Sequence, residues 1–358
     1  MVRETISNHP ISALLHNVRG WITQQRAARN TSLARQAAIS QAIEQVISGT
    51  EPRLRALNGY EKRLAPAVER TLDYINNLIE QLPPPIELSR EAWQRHSHIN
   101  AFFATVTDLP LFLSRAETLR DFFERRPHAT QAFAILTSIR DEKRVFGISL
   151  EGGMLRRDVA QTSVGFREPR ILNPSPTEEE LREEAKRCAL KVYIGLVRKN
   201  LANSETQRAS LERERLILET QRRSLLDQKL KHGTSFDAQV KIGSVEKKLA
   251  GNAAALKGLG GSRPNLEAMF EQVKNLLATP EQQLNLAPAA FSVDRFGIKQ
   301  ETVSEAMANQ LTLLECTTPS TRKVITLVRC PRSEMSLVDH VVAKMDAYLV
   351  SHLGFSGA

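Results

Sequence analysis

The sequence predicts a mainly α protein with a small antiparallel β-sheet, an α+β chain. An N-terminal helical bundle precedes a sheet domain, and a long antiparallel helical hairpin is inserted between its strands. Three observations predict this: apolar residues recur in steps of three and four through the first third; β-branched and aromatic residues at short spacing take over at Thr130; and no proline interrupts the run from Thr177 to the His232-Gly233 pair. The expected domains are 1–126, helical bundle; 127–172 with 281–358, sheet domain; and 173–280, coiled-coil hairpin and a following helix.

In the first third, residues 10–48 read as helix, with Leu14, Val18, Trp21 and Ile22 on one stripe and Ile39, Ile43 and Ile47 on another. Gly49 is expected to end it as a left-handed C-cap. A second helix is expected from about Pro52 through Leu54, Leu57, Leu64, Val68, Leu72, Ile75, Ile79 and Leu82. That face is heptad-like. Pro66 should kink or divide it, and Pro83-Pro84-Pro85 should stop it. A third helix over about 89–107 and a shorter one capped by Ser114 with Glu117 complete the bundle.

The stretches "AFAILTSI", "RVFGISL" and "DVAQTSVGF" read as a three-stranded meander, with turns at "RDEK" and "EGGMLRR". "LTLLECT" and "KVITLVRC" flank "TPSTR" as a hairpin, "AAFSVDRFGIKQ" reads as a further strand, and a last helix follows Ser336. Strands 130–167 and 290–330 are expected in one sheet.

"NPSPTEEELREEA" reads as a helix start with Ser175 as N-cap, Pro176 in the first turn and Glu178 closing a capping box. The helix should reach about Lys231. A second helix follows with Ile242, Val245, Leu249, Leu256 and Leu259, ending at Gly260-Gly261. So short a loop folds the two back antiparallel, and an arm of about 25 residues is roughly 37 Å long. One seam column of the first helix reads Leu190, Val197, Ser204, Leu211, Leu218, Leu225; the other reads Ile194, Leu201, Arg208, Arg215, Arg222, Lys229. Charged heads are costly to bury unpaired, whereas their stems can cover apolar surface. The expectation is therefore a narrow aliphatic stripe filled by one helix, with the basic flank wet.

Function is narrowed more than assigned. The net charge of +9 permits attraction to a polyanion, but it is spread along the chain and forms no basic arm. Three cysteines without metal-ligand spacing, no secretory leader pattern and no long apolar run point to a cytoplasmic protein without a transmembrane segment. "GISLEGG" departs from the nucleophile elbow at Glu151; "STRK" and "SVEK" lack companion motifs; "GLGGSRP" follows a helix and lacks the last glycine of a dinucleotide fingerprint. His96 and His98 could share a metal only across a local helix break. No catalytic, cofactor or metal residues are assigned, and no cofactor is expected. The expected interaction residues are Arg208, Arg215, Arg222, Arg223 and Lys229. The first expectation is a non-enzymatic scaffold or adaptor whose hairpin and 54–82 face contact protein or a second copy. The alternatives are a nucleic-acid-associated protein binding phosphates through the basic flank, and an enzyme with a dispersed site between sheet and bundle. Interleaved Glu205, Glu212, Glu214, Glu219 and Asp227 weaken the phosphate reading.

Overall fold

A computed structural model describes residues 32–103, 105–151, 154–232, 236–261, 266–293, 297–299 and 309–335. The expected stripe at Leu14–Ile22 and the expected final helix after Ser336 lie outside these residues. The chain forms two compact units, Met1–Leu72 with Ile194–Ala278 and Asp73–Tyr193 with Thr279–Ala358.

In the first unit, helix α1 (residues 32–49) buries Ala42, Ile43, Val46 and Ile47 at the spacing of one helical face. Gly49 closes it for a reason other than the left-handed cap expected. Its φ is not positive, and a Cβ there would lie 2.5 Å from Ile194 Cγ2. Close helix approach requires the glycine. A short 3-10 turn, Pro52–Ala56, buries Leu54, and α2 begins only at Tyr60, after Gly59 with φ +68°. Helix α2 (Tyr60–Glu80) runs undivided past Pro66, whose side is exposed. Leu64, Val68 and Thr71 are buried, and the Thr71 hydroxyl donates to the carbonyl of Leu277 at 2.7 Å. Helix α9 (Leu266–Ala278) meets α2 again where Arg63 pairs with Glu267 and Glu271 and lies over the Phe270 ring at 4.2 Å.

In the second unit, strand β1 (Ile86–Glu87) is followed by four short helices, α3 (Arg90–Arg95), α4 (Ser97–Phe102), α5 (Asp108–Arg115) and α6 (Glu117–Arg125). The single helix expected over 89–107 is broken at His96, whose φ −112° and ψ 112° are extended. Ser114 is no N-cap: it lies inside α5, buried, and its hydroxyl donates to Pro110 O at 2.7 Å. Side-chain pairing with the preceding turn has outcompeted the capping box.

Strands β2 (Gln131–Glu151) and β3 (Met154–Ser175) replace the expected meander. "RDEK" is not a turn; Arg140 to Lys143 pair with Phe166 to Ser163. The charges that suggested a turn pair laterally instead, as in Arg167 Nε to Asp141 at 3.1 Å. Three register shifts interrupt β2–β3 pairing, and each is matched by a positive-φ residue on β3: Asp158, Glu168 and Asn173. Each is the extra residue of a bulge, and bulges increase twist and bend the strand.

Strands β4 (Asn285–Val293), β5 (Asn309–Thr317) and β6 (Arg322–Pro331) join β2 and β3 in the order β3-β2-β6-β5-β4, with β1 parallel to β6. The strands on either side of the long helix thus share one sheet, as expected. The curl nearly closes it. Residues 297–299 bridge the two edges: Lys299 pairs with Val293 of β4, and its N–H donates to Thr162 O of β3 at 2.8 Å. Gly297, at φ +76°, accepts from Val164 N at 2.8 Å, and a Cβ there would stand 2.9 Å from Val164 O. Ala132, Ala134 and Leu136 of β2 and Val324, Val328 and Cys330 of β6 point inward with Phe291, Leu311 and Leu313, against Ile99, Phe102, Leu113, Phe122 and Phe123 of the short helices.

Candidate functional site

Helix α7 (Glu178–His232) starts two residues later than expected. Ser175 is buried at the end of β3, opposite Phe133, and its hydroxyl donates to Asn173 O. Thr177 is the cap, its Oγ1 accepting from Glu180 N at 3.2 Å. Without proline, α7 runs for 55 residues, about 80 Å at 1.5 Å per residue. Helix α8 (Phe236–Gly258) ends where Gly260 and Gly261 take φ +85° and +90°, and Gly261 N returns to Leu256 O at 2.8 Å.

The two helices run antiparallel. Arg208 meets Leu259; Leu211 and Glu214 meet Asn252; Gln221, Ser224 and Leu225 share a cleft of about 380 Å³ with Lys241, Ser244 and Val245. Leu218 of α7 and Ile242, Val245 and Leu256 of α8 are buried between them. The seven-residue step from Leu249 to Leu256 holds a buried polar layer: Asn252 Nδ2 donates to Leu211 O at 2.9 Å and to Glu214 Oε2 at 3.2 Å. A polar group that bonds only one backbone level fixes the register of a helix pair.

Of the expected interaction residues, Arg208 departs from the wet flank. It is 7% exposed, and its Nη2 donates to Leu259 O at 2.6 Å. The C-terminal turn of α8 leaves a carbonyl that needs a donor, which outweighs the hydration of one guanidinium. Arg215 is about half exposed and pairs with Glu219 at 2.9 Å. Arg222 and Arg223 are exposed and make no ion pair among the described residues, and Lys229 is half-buried. These side chains form rows along α7; they do not converge. Exposed beside them are Leu216 at 64%, Ile217 at 60%, Leu230 at 83% and Val240 at 54%. The 54–82 face is not available as expected: Leu54, Leu64, Val68, Ile75, Ile79 and Leu82 are buried.

Two charged clusters stand out, and the first of them escaped the sequence reading. Arg140 and Glu315 lie on the inner face of the curled sheet, Nε to Oε1 2.6 Å, both largely buried. Arg140 also reaches Glu142 at 3.3 Å and lies 5.2 Å from the Phe291 ring centroid. No spacing links residues so distant in sequence; the alternation of β5, with Leu311, Leu313 and Glu315 on one face, was the available signal. The other cluster lines an open cleft of about 500 Å³, with Glu179, Glu180, Glu183 and Glu184 beside Arg126 and Arg187. Glu183 pairs with Lys186 at 2.8 Å and Glu184 with Arg187 at 2.9 Å. These carboxylates suit the positive end of the helix dipole.

Ser149 lies within β2 opposite Arg156, not on an elbow. The helix does break at His96, yet His98 Nε2 contacts Thr312 O at 3.1 Å, and no group of metal-ligating residues assembles among the described residues. No described helix is long and apolar enough to cross a membrane. The chain matches no family model, and no curated protein or solved structure is similar to it.

Proposed function

We propose that this protein is a non-enzymatic scaffold or adaptor that uses the α7/α8 hairpin to contact other protein. The observation that supports this is the set of aliphatic side chains left in water on the hairpin, Leu216, Ile217, Leu230 and Val240, while Leu218, Ile242, Val245 and Leu256 are buried between the helices. A hairpin needs aliphatics only on its seam; further ones on the outside lower its solubility unless something covers them. The test is a photo-crosslinking residue placed at Ile217 or Leu230 in producing cells, with exposed Asn77 of α2 as the control position. Protein adducts from the hairpin positions and none from the control support the reading. No adduct from either hairpin position overturns it.

The second reading, phosphate contacts to nucleic acid, is favoured by Arg222 and Arg223, which no carboxylate neutralises among the described residues. It requires binding to mixed-sequence DNA or RNA that falls steeply with salt, and no binding at low salt removes it.

A further inference from the structure

We infer that the outer face of α7 binds a second copy of this chain, the two helices lying antiparallel about a two-fold axis level with residue 221. This rests on the reading of the hairpin as an interaction element and names its partner.

Besides the seam turned to α8, α7 carries a second column with alternating steps of four and three: Glu212, Leu216, Glu219, Arg223, Leu226 and Leu230. That is the spacing of a helix-packing stripe. Among the described residues it is uncovered, with Leu216 64%, Leu226 40% and Leu230 83% exposed.

The column is close to its own complement when reversed. An antiparallel pair joins 216 with 226, 219 with 223 and 212 with 230. Leu216 then meets Leu226, and Glu219 meets Arg223, on both sides of the axis. A parallel pair in register would instead set Glu219 against Glu219 and Arg223 against Arg223. Charge therefore selects the antiparallel sense. Both groups have capacity left: Glu219 engages Arg215 through Oε1, and Arg223 has no ion pair among the described residues.

The flanks moderate the contact. One brings Arg213 to Asp227; the other brings Arg222 to Arg222 and Arg215 to Lys229 of the second copy. Arg215 and Arg222 are exposed and Lys229 is half-buried, so water and salt screen most of this repulsion. The stripe from 212 to 230 is about 27 Å long, so the association is modest and reversible.

The experiment is light scattering or sedimentation equilibrium of the full chain over a wide concentration range. The mass should rise from one chain to two. Arg223→Glu alone and Glu219→Arg alone should each weaken association about tenfold, since each puts like charges together on both sides of the axis. Mixed together the two variants should form a heterodimer, because one then carries carboxylates at positions 219 and 223 and the other carries guanidinium groups at both. Leu216→Ser, which changes no charge, should also weaken the dimer, and circular dichroism checks that each variant stays helical. A single-chain mass at every concentration, a dimer indifferent to all three substitutions, or charge variants that do not recombine overturns the inference. A single-chain mass with hairpin crosslinks to a different protein overturns it while the interaction reading stands; a single-chain mass with no crosslink sinks both.

Discussion

The guanidinium of Arg208 donates to the carbonyl of Leu259 at 2.6 Å, from a site only 7% exposed. The bond fastens the C-terminal turn of α8 to α7 and makes Arg208 unlike the other basic residues of its column. Arg208→Ala leaves that carbonyl without its donor and empties a packed site. It should destabilise the chain by about 2–3 kcal/mol in urea unfolding, whereas Arg222→Ala, exposed and without an ion pair among the described residues, should change stability by less than about 0.5 kcal/mol. Equal effects would contradict the assignment.

Gly49 and Ile194 make a second close relationship. The added methyl of Gly49→Ala would stand 2.5 Å from Ile194 Cγ2, and overpacking of this kind costs about 1–3 kcal/mol. Ile194→Ala removes the obstructing carbon and should absorb most of that cost in a double-mutant cycle. Simple additivity would show that the clash is relieved elsewhere.

Arg140 and Glu315 test the inner face of the sheet. Arg140→Met leaves Glu315, 9% exposed, with the guanidinium of Arg322 at 4.0 Å in place of Arg140 at 2.6 Å, and breaking a buried pair from one side costs at most about 3–5 kcal/mol. Arg140→Met with Glu315→Leu should recover most of the loss. The measurement is again chemical unfolding of the three variants.

Cys330 predicts an alkaline limit. Burial pushes its thiol up to about 12, from an ordinary value of 9.0. The folded state therefore keeps a proton that the unfolded chain releases. This stabilisation is complete below pH 9, declines above it and is gone near pH 12. Within that window the slope from this group is about 1.4 kcal/mol per pH unit. Cys330→Ala should remove that share of the slope in unfolding curves at successive pH. In the native chain a thiol reagent should spare Cys330 and modify it once the chain is unfolded.

The start of α7 separates two capping assignments. Thr177→Ala should cost about 1 kcal/mol through loss of the bond to Glu180 N. Ser175→Ala should leave the helix start unchanged, since its hydroxyl serves Asn173 O. If Ser175→Ala frays the helix and Thr177→Ala does not, the cap belongs to Ser175 after all.

The elements legible in the sequence were those whose signals are local and uninterrupted. The antiparallel pair α7/α8, the turn at Gly260-Gly261 and the hairpin around Thr318 to Arg322 all follow from nearby spacing. Departures arose where a local signal had a stronger tertiary competitor. "RDEK" has turn composition, yet the bulged pairing of β2 with β3 carries it through as strand. The glutamates after Ser175 announced a helix, but edge pairing with Phe133 kept Ser175 in the sheet and passed the cap to Thr177. Of the hairpin's basic row, the positions were readable and the exposure of Arg222 and Arg223 followed from them; the burial of Arg208 was not, because it depends on where the far end of α8 stops.

By itself the sequence determined the class of the fold, the helical arm between strands and the periodicity of its faces, because backbone propensity and side-chain spacing act within a few residues. Only the tertiary structure decided which side chains become dry, that Gly49 is needed for helix approach, that Arg140 and Glu315 meet, and that residues 297–299 bridge the sheet's edges. Those outcomes depend on surfaces that come together from distant parts of the chain, where desolvation and packing outweigh local preference.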